Sequence, residues 1–159
     1  MKDFEKIVRL LEEKKKTIST MESCTGGGVV NAITNITGAS DVLHYSAVTY
    51  SNDFKVKMGV SKEIIDTYTV YSMETAKEMS RVISNFADSD YGVGITGMLH
   101  CKDSENPGGN PNKIYISIYR KDNGTYYNDT VEVNSDDRIT NKNTVIEKII
   151  EMLFELLNN

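Results

Sequence analysis

The stretch Thr20-Met21-Glu22-Ser23-Cys24-Thr25-Gly26-Gly27-Gly28 constrains this chain more than any other. Before it, Thr17-Ile18-Ser19-Thr20-Met21 is rich in β-branched residues and reads as a short buried strand. After it, Val29, Ala32, Ile33 and Ile36 recur at helical spacing, which predicts a helix beginning near Thr25 and ending around Gly38. A strand that turns through small polar residues into a helix presents backbone N–H groups and the positive end of the helix dipole. That geometry suits an anion or a developing oxyanion. Ser23 sits in the turn, with its hydroxyl available to whatever binds there. The same residues also suit a plain N-cap by Ser23 or Thr25, with glycines that permit close packing. Both readings stand at this point.

The rest of the chain extends the pattern. Phe4, Ile7, Val8 and Leu11 mark a first helix with a lysine-rich end. A strand is expected over 42–50, running into a short helix over 51–60 closed by glycine, with Ser61 capping a helix over 62–68. Ser72 caps the next helix, whose buried stripe is Ala76, Met79, Ile83 and Phe86. Tyr91 to Thr96 is a strand thinned by two glycines. Residues 98–112 carry both prolines and no periodicity, and their polar composition predicts a mobile loop. Residues 113–119 and 125–133 form a hairpin around Asn123-Gly124. Asp137 or a neighbour caps a long last helix built on Ile146, Ile149, Ile150, Leu153 and Leu157, whose broad apolar face can serve a subunit contact as well as the core. The order α-β-α-β-α-α-β-β-β-α predicts one α/β domain over 1–159. Its expected architecture is a three-layer α/β/α sandwich with a mixed, mostly parallel sheet. In such sheets ligands bind beyond the carboxyl ends of strands, which are here Glu22-Ser23, Tyr50-Ser51-Asn52 and Thr96-Gly97.

Composition narrows the partners. A net charge of −5 argues against non-specific nucleic-acid binding and against an anionic membrane surface. No apolar run approaches the ~18 residues of a membrane span, and the first residues do not resemble a signal peptide. Two cysteines, Cys24 and Cys101, make no disulfide framework, so a reducing cytoplasm is expected. No metal-ligand spacing is present. Two histidines offer few candidates for a histidine-based triad. Lys55 is the obvious base for Ser23, with Tyr50 able to relay a proton or orient the amine. A solvated Lys55 and a core Tyr50 are the plainer alternatives. Cys24 at a helix N-terminus is a conceivable nucleophile, although a small buried thiol fits the position better.

Glu22-Ser23-Cys24-Thr25-Gly26-Gly27 resembles the signature of the CinA family's C-terminal domain, the nicotinamide-nucleotide amidases. Tyr50-Ser51-Asn52-Asp53-Phe54-Lys55 with Met58-Gly59-Val60 is similar to a second family motif. Val70-Tyr71-Ser72-Met73-Glu74, Ile95-Thr96-Gly97 and Asp137-Arg138 follow in family order. The resemblance implies hydrolysis of the carboxamide of nicotinamide mononucleotide to nicotinic acid mononucleotide and ammonia, without a cofactor, in a homodimer or higher homo-oligomer. It implies Ser23 as nucleophile and Lys55 as base with Tyr50 assisting. It also implies substrate contacts from Glu22, Thr25, Gly26, Gly27, Ser51, Asn52, Thr96, Gly97 and Arg138. One segment departs from the family. Met98-Leu99-His100-Cys101-Lys102-Asp103 stands where the family is glycine-rich, and Pro107-Gly108-Gly109 alone keeps the pattern. A member that binds a nucleotide or a protein without turning it over is the alternative this departure suggests.

Overall fold

Phe4, Ile7, Val8 and Leu11 fall on one side of the helix α1 (Lys2–Lys14), and each is at most 1% exposed. The computed structural model describes residues 2–100 and 110–159. After α1 come β1 (Ile18–Glu22), α2 (Gly28–Thr34), α3 (Ala39–Val42), β2 (Ala47–Val48), α4 (Asn52–Lys57), α5 (Lys62–Tyr68) and α6 (Met73–Ala87). Then follow β3 (Tyr91–Gly97), β4 (Lys113–Arg120), β5 (Thr125–Glu132) and α7 (Arg138–Asn158). Among the described residues no helix is long and apolar enough to cross a membrane.

The sheet order is β2-β1-β3-β4-β5. β1 lies parallel to both β2 and β3, while β4 runs antiparallel between β3 and β5, so β4 alone opposes the other four strands. One face is covered by α1, α2, α3 and α7, whose Phe4, Val29, Ile33, Ile149 and Leu153 pack with Val93, Ile95 and Ile116 of the sheet. The other face carries α5 and α6, with Ile65, Met79 and Ile83 around Met21 of β1. This is the expected three-layer sandwich with a mixed sheet. The register Met21↔Ala47 and Met21↔Gly94 brings the carboxyl ends of β1, β2 and β3 side by side.

Three local expectations change. The helix after the turn starts at Gly28 rather than near Thr25, because Gly26 and Gly27 adopt φ of 60° and 96°, outside the right-handed helical region. The strand expected over 42–50 shrinks to Ala47–Val48, and residues 39–42 are helical. The physical reason lies in Ser46: its hydroxyl, not a strand backbone, accepts the Thr20 N–H at 3.0 Å. Phe86 does not join the buried stripe of α6; it is 62% exposed and packs at a tilt against Tyr45, ring centroids 5.1 Å apart. The expected loop begins with Met98 and Leu99 buried, and the Leu99 carbonyl accepts from Asn141 Nδ2 at 2.6 Å. Of the loop expected to be mobile over 98–112, residues 101–109 lie outside the described residues.

β3 meets α6 through its glycines. A Cβ at Gly94 would overlap the Ala76 carbonyl oxygen, and one at Gly92 the Ser80 carbonyl oxygen. Neither obstacle is a flexible side-chain end, so the helix backbone itself would have to move. Gly94→Ala is expected to lower stability by about 1–3 kcal/mol through overpacking, measured as a fall in urea midpoint with unchanged m-value.

Candidate active site

The turn after β1 is held from within by a carboxylate. Glu22 is 0% exposed, and its two oxygens accept from Thr25 Oγ1 (2.7 Å), Thr20 Oγ1 (3.1 Å) and the N–H groups of Val29 and Val30 (both 2.9 Å). A buried carboxylate is tolerated where donors replace its water, and here it also satisfies two of the orphan amides of α2. A direct substrate contact, expected for Glu22, is closed to a side chain so enclosed. Thr25 is likewise buried and spends its hydroxyl on Glu22. Both residues shape the turn that presents Ser23.

Ser23 itself is 9% exposed, and its N–H donates to the Ile95 carbonyl at 3.0 Å, tying the turn to β3. Gly26 and Gly28 close short turns back to Ser23 and Thr25. Among the described residues the N–H groups of Cys24 and Thr25 donate to no other residue, the Cys24 N–H meeting only its own thiol. They stand next to the serine hydroxyl in sequence and are the natural oxyanion donors of the turn.

Lys55 comes from α4. Ser51 caps that helix by accepting the Phe54 N–H at 3.2 Å, and Lys55 lies one turn in, directed at β1. It is 1% exposed, not the solvated lysine of the plainer alternative. Its Nζ lies 3.0 Å from Ser23 Oγ, 2.7 Å from the Thr49 carbonyl and 3.4 Å from the Tyr50 carbonyl. An ammonium fills all three positions as donor. A neutral amine can donate to the two carbonyls and accept the Ser23 proton with its lone pair. The same geometry therefore accommodates both states that a proton shuttle between lysine and serine requires.

The remaining candidates divide. Tyr50 is 64% exposed at the rim, not in the core; its backbone carbonyl touches Lys55, while its hydroxyl accepts from Arg138 Nη2 at 3.4 Å. Arg138, at the start of α7, thus reaches the same mouth. Ser51 and Asn52 stand at the α4 N-terminus beside it. Thr96 is buried and donates to the Val70 carbonyl at 2.7 Å, so it braces the segment before α6 rather than facing a ligand. Gly97 serves packing, since a Cβ there would come within 2.5 Å of the Lys113 carbonyl oxygen. Two contributors escaped the sequence. The Thr49 carbonyl carries no side-chain signal. Lys142, whose Nζ lies beside Gly26, follows Arg138 by four residues, a spacing that puts both cations on one face of α7. Among the described residues, no three His, Cys, Asp or Glu side chains converge as metal ligands would.

Cys24 is 5% exposed in the core beneath the turn. Burial pushes its thiol up to about 12, and the positive charge of Lys55 pulls it back only in part. Because the thiolate is the reactive form, the thiol stays protonated and inert throughout the neutral range. Iodoacetamide at pH 8 is expected to leave Cys24 unmodified in the folded protein and to alkylate it in urea, as read by peptide mapping.

This fold and this sequence have known counterparts. The CinA C-terminal domain family model matches residues 2–157, and the chain belongs to that family. A putative competence-damage inducible protein of Clostridium acetobutylicum is 36% identical over 149 residues, covering 91% of this chain and 34% of that protein. A CinA-like protein of Endomicrobium trichonymphae is 47% identical over 91 residues, 57% of this chain and 21% of its own length. The chain thus spans 21% and 34% of the length of these relatives. Among solved structures, a CinA superfamily protein from Klebsiella pneumoniae 700603 superposes with a TM-score of 0.91 at 20% identity, over 99% of this chain and 96% of that one. The competence/damage inducible protein CihA from Agrobacterium tumefaciens gives 0.83 at 27% identity, with the same coverage.

If Glu22 organises the turn, Glu22→Gln should be costly although it is nearly isosteric. One carboxylate oxygen becomes an NH2 facing the donors of Val29 and Thr25 or of Val30 and Thr20. The expected loss is on the order of 1–3 kcal/mol, seen as a lowered thermal midpoint.

Proposed function

We propose that the chain is an amidase domain spanning residues 1–159. It hydrolyses the carboxamide of nicotinamide mononucleotide to nicotinic acid mononucleotide and ammonia. The observation that carries this reading is the contact of a fully buried Lys55 Nζ with Ser23 Oγ at 3.0 Å, at the mouth of a parallel strand pair. Membership of the CinA family supports it.

In the proposed sequence, neutral Lys55 takes the Ser23 proton while Oγ attacks the carboxamide carbon. The N–H groups of Cys24 and Thr25 receive the oxyanion. As the C–N bond breaks, Lys55 returns its proton to the departing nitrogen, releasing ammonia and leaving an acyl ester on Ser23. Water, deprotonated by Lys55, then attacks the ester. The acid leaves, and Ser23 regains its proton. Tyr50 and Arg138, joined at 3.4 Å, border the entrance and orient the substrate. We further propose that the domain works as a homodimer or higher homo-oligomer in pyridine nucleotide salvage.

Ammonia release from nicotinamide mononucleotide, followed by a coupled glutamate dehydrogenase assay, tests the proposal. Ser23→Ala is expected to reduce turnover on the order of 10³-fold or more. Lys55→Arg, which keeps the charge but does not give up a proton, should be nearly inactive. Wild-type turnover by either folded variant would sink the Ser–Lys mechanism. Saturable mononucleotide binding with no ammonia from the native protein would favour a binding module instead.

A further inference from the structure

The groove between α2 and α7 takes no part in the acyl-transfer steps, although it opens beside the Ser23 turn. Its volume is about 410 Å³, within the range of small-molecule sites. Gly26 and Gly27 form one side with bare backbone, Asn31 and Asn35 stand along α2, and Lys142 and Asn143 face them from α7. A Cβ on Gly26 would lie 3.3 Å from Lys142 Nζ, so the ammonium sits directly against main chain with no side chain between.

The charge lining the groove is of one sign. Lys57, Lys62, Lys121 and Lys148 each pair with a carboxylate. Half-buried Lys142 has no hydrogen bond or ion pair among the described residues, and no Asp or Glu lines the groove. Arg138, one turn earlier on α7, is engaged by the Tyr50 hydroxyl. A cation without a counter-ion, surrounded by carboxamides and a positive-φ glycine turn, forms a concavity suited to an anion.

We propose that the α2–α7 groove holds the phosphate of a mononucleotide and that Lys142 is its charge partner, which makes Lys142 the residue that selects nucleotide over nucleoside. This rests on the amidase reading for the identity of the other end of the ligand, with the carboxamide at Ser23. Arg138 stays with Tyr50 at the reacting end, and the phosphate falls to the second cation of the same helix face.

Isothermal titration of nicotinic acid mononucleotide and nicotinic acid riboside tests the assignment without requiring turnover. The native protein is expected to bind the mononucleotide about tenfold or more tightly than the riboside, the size of one charge-assisted hydrogen bond. Lys142→Gln should bring that ratio close to one, and Lys142→Arg should keep most of it. Inorganic phosphate should compete with the mononucleotide and not with the riboside. An unchanged ratio in Lys142→Gln, or a native protein that does not prefer the mononucleotide, overturns the groove assignment. Ammonia release separates this proposal from the one beneath it. A Lys142-dependent preference without ammonia would leave the groove standing and remove the amidase. Ammonia release with a ratio indifferent to Lys142 would do the reverse.

Discussion

The buried carboxylate of Glu22 is the interaction on which the turn carrying Ser23 depends. A carboxylate removed from water is unfavourable by several kcal/mol unless donors replace its hydration. Here four donors do so: the hydroxyls of Thr20 and Thr25 and two amides of α2. Those donors come from both sides of the turn, so satisfying one charge fixes the exit of β1, the entry of α2 and the residues between. Ser23 lies inside that clamp and is held again by the Ile95 carbonyl. Its hydroxyl is thus presented by rigid backbone rather than by a flexible loop, which is what an attack geometry requires.

Topology supplies the second constraint. β1 has parallel partners on both sides, so three strand ends open toward the same edge. That arrangement lets Lys55, 32 residues beyond Ser23, reach its hydroxyl from α4. The close approach of α6 to the glycines of β3 keeps the opposite face of the sheet tight, with Met21 of β1 packed against α6 and its neighbours. Nucleophile and base are therefore positioned by the same packing that forms the core, and loosening one loosens the other.

Electrostatics around the cleft run against the protein's overall charge. The chain is acidic, yet Lys55, Arg138 and Lys142 gather around one turn. Positive groups concentrated at a concave site in an acidic protein draw an anionic ligand to that site and away from the rest of the surface. Their roles differ by burial. Lys55 is sealed and contacts the serine, whereas Arg138 and Lys142 stand further out, at the rim and the adjoining groove.

Periodicity by itself marked the long helices, because the stripes in α1, α6 and α7 answer to the 3.6-residue repeat, and the caps of α6 and α7 are local side-chain bonds. The layer arrangement followed from the alternation of helices and strands. Ser23 and Lys55 were legible as chemistry-bearing residue types at strand ends. What local sequence did not contain is decided by contacts far along the chain. Glu22 turns inward because α2 offers it two amides, and Thr96 turns to Val70 because α6 packs there. β2 stops at two residues because Ser46 takes over a backbone bond. Phe86 faces outward although its spacing fits the stripe, since Tyr45 from a distant segment receives it. Lys142 acquired its place when α7 docked beside the glycine turn. A residue's type and spacing state what it can do, but which partner reaches it first depends on the packing of segments remote in sequence, and only the tertiary structure settles that competition.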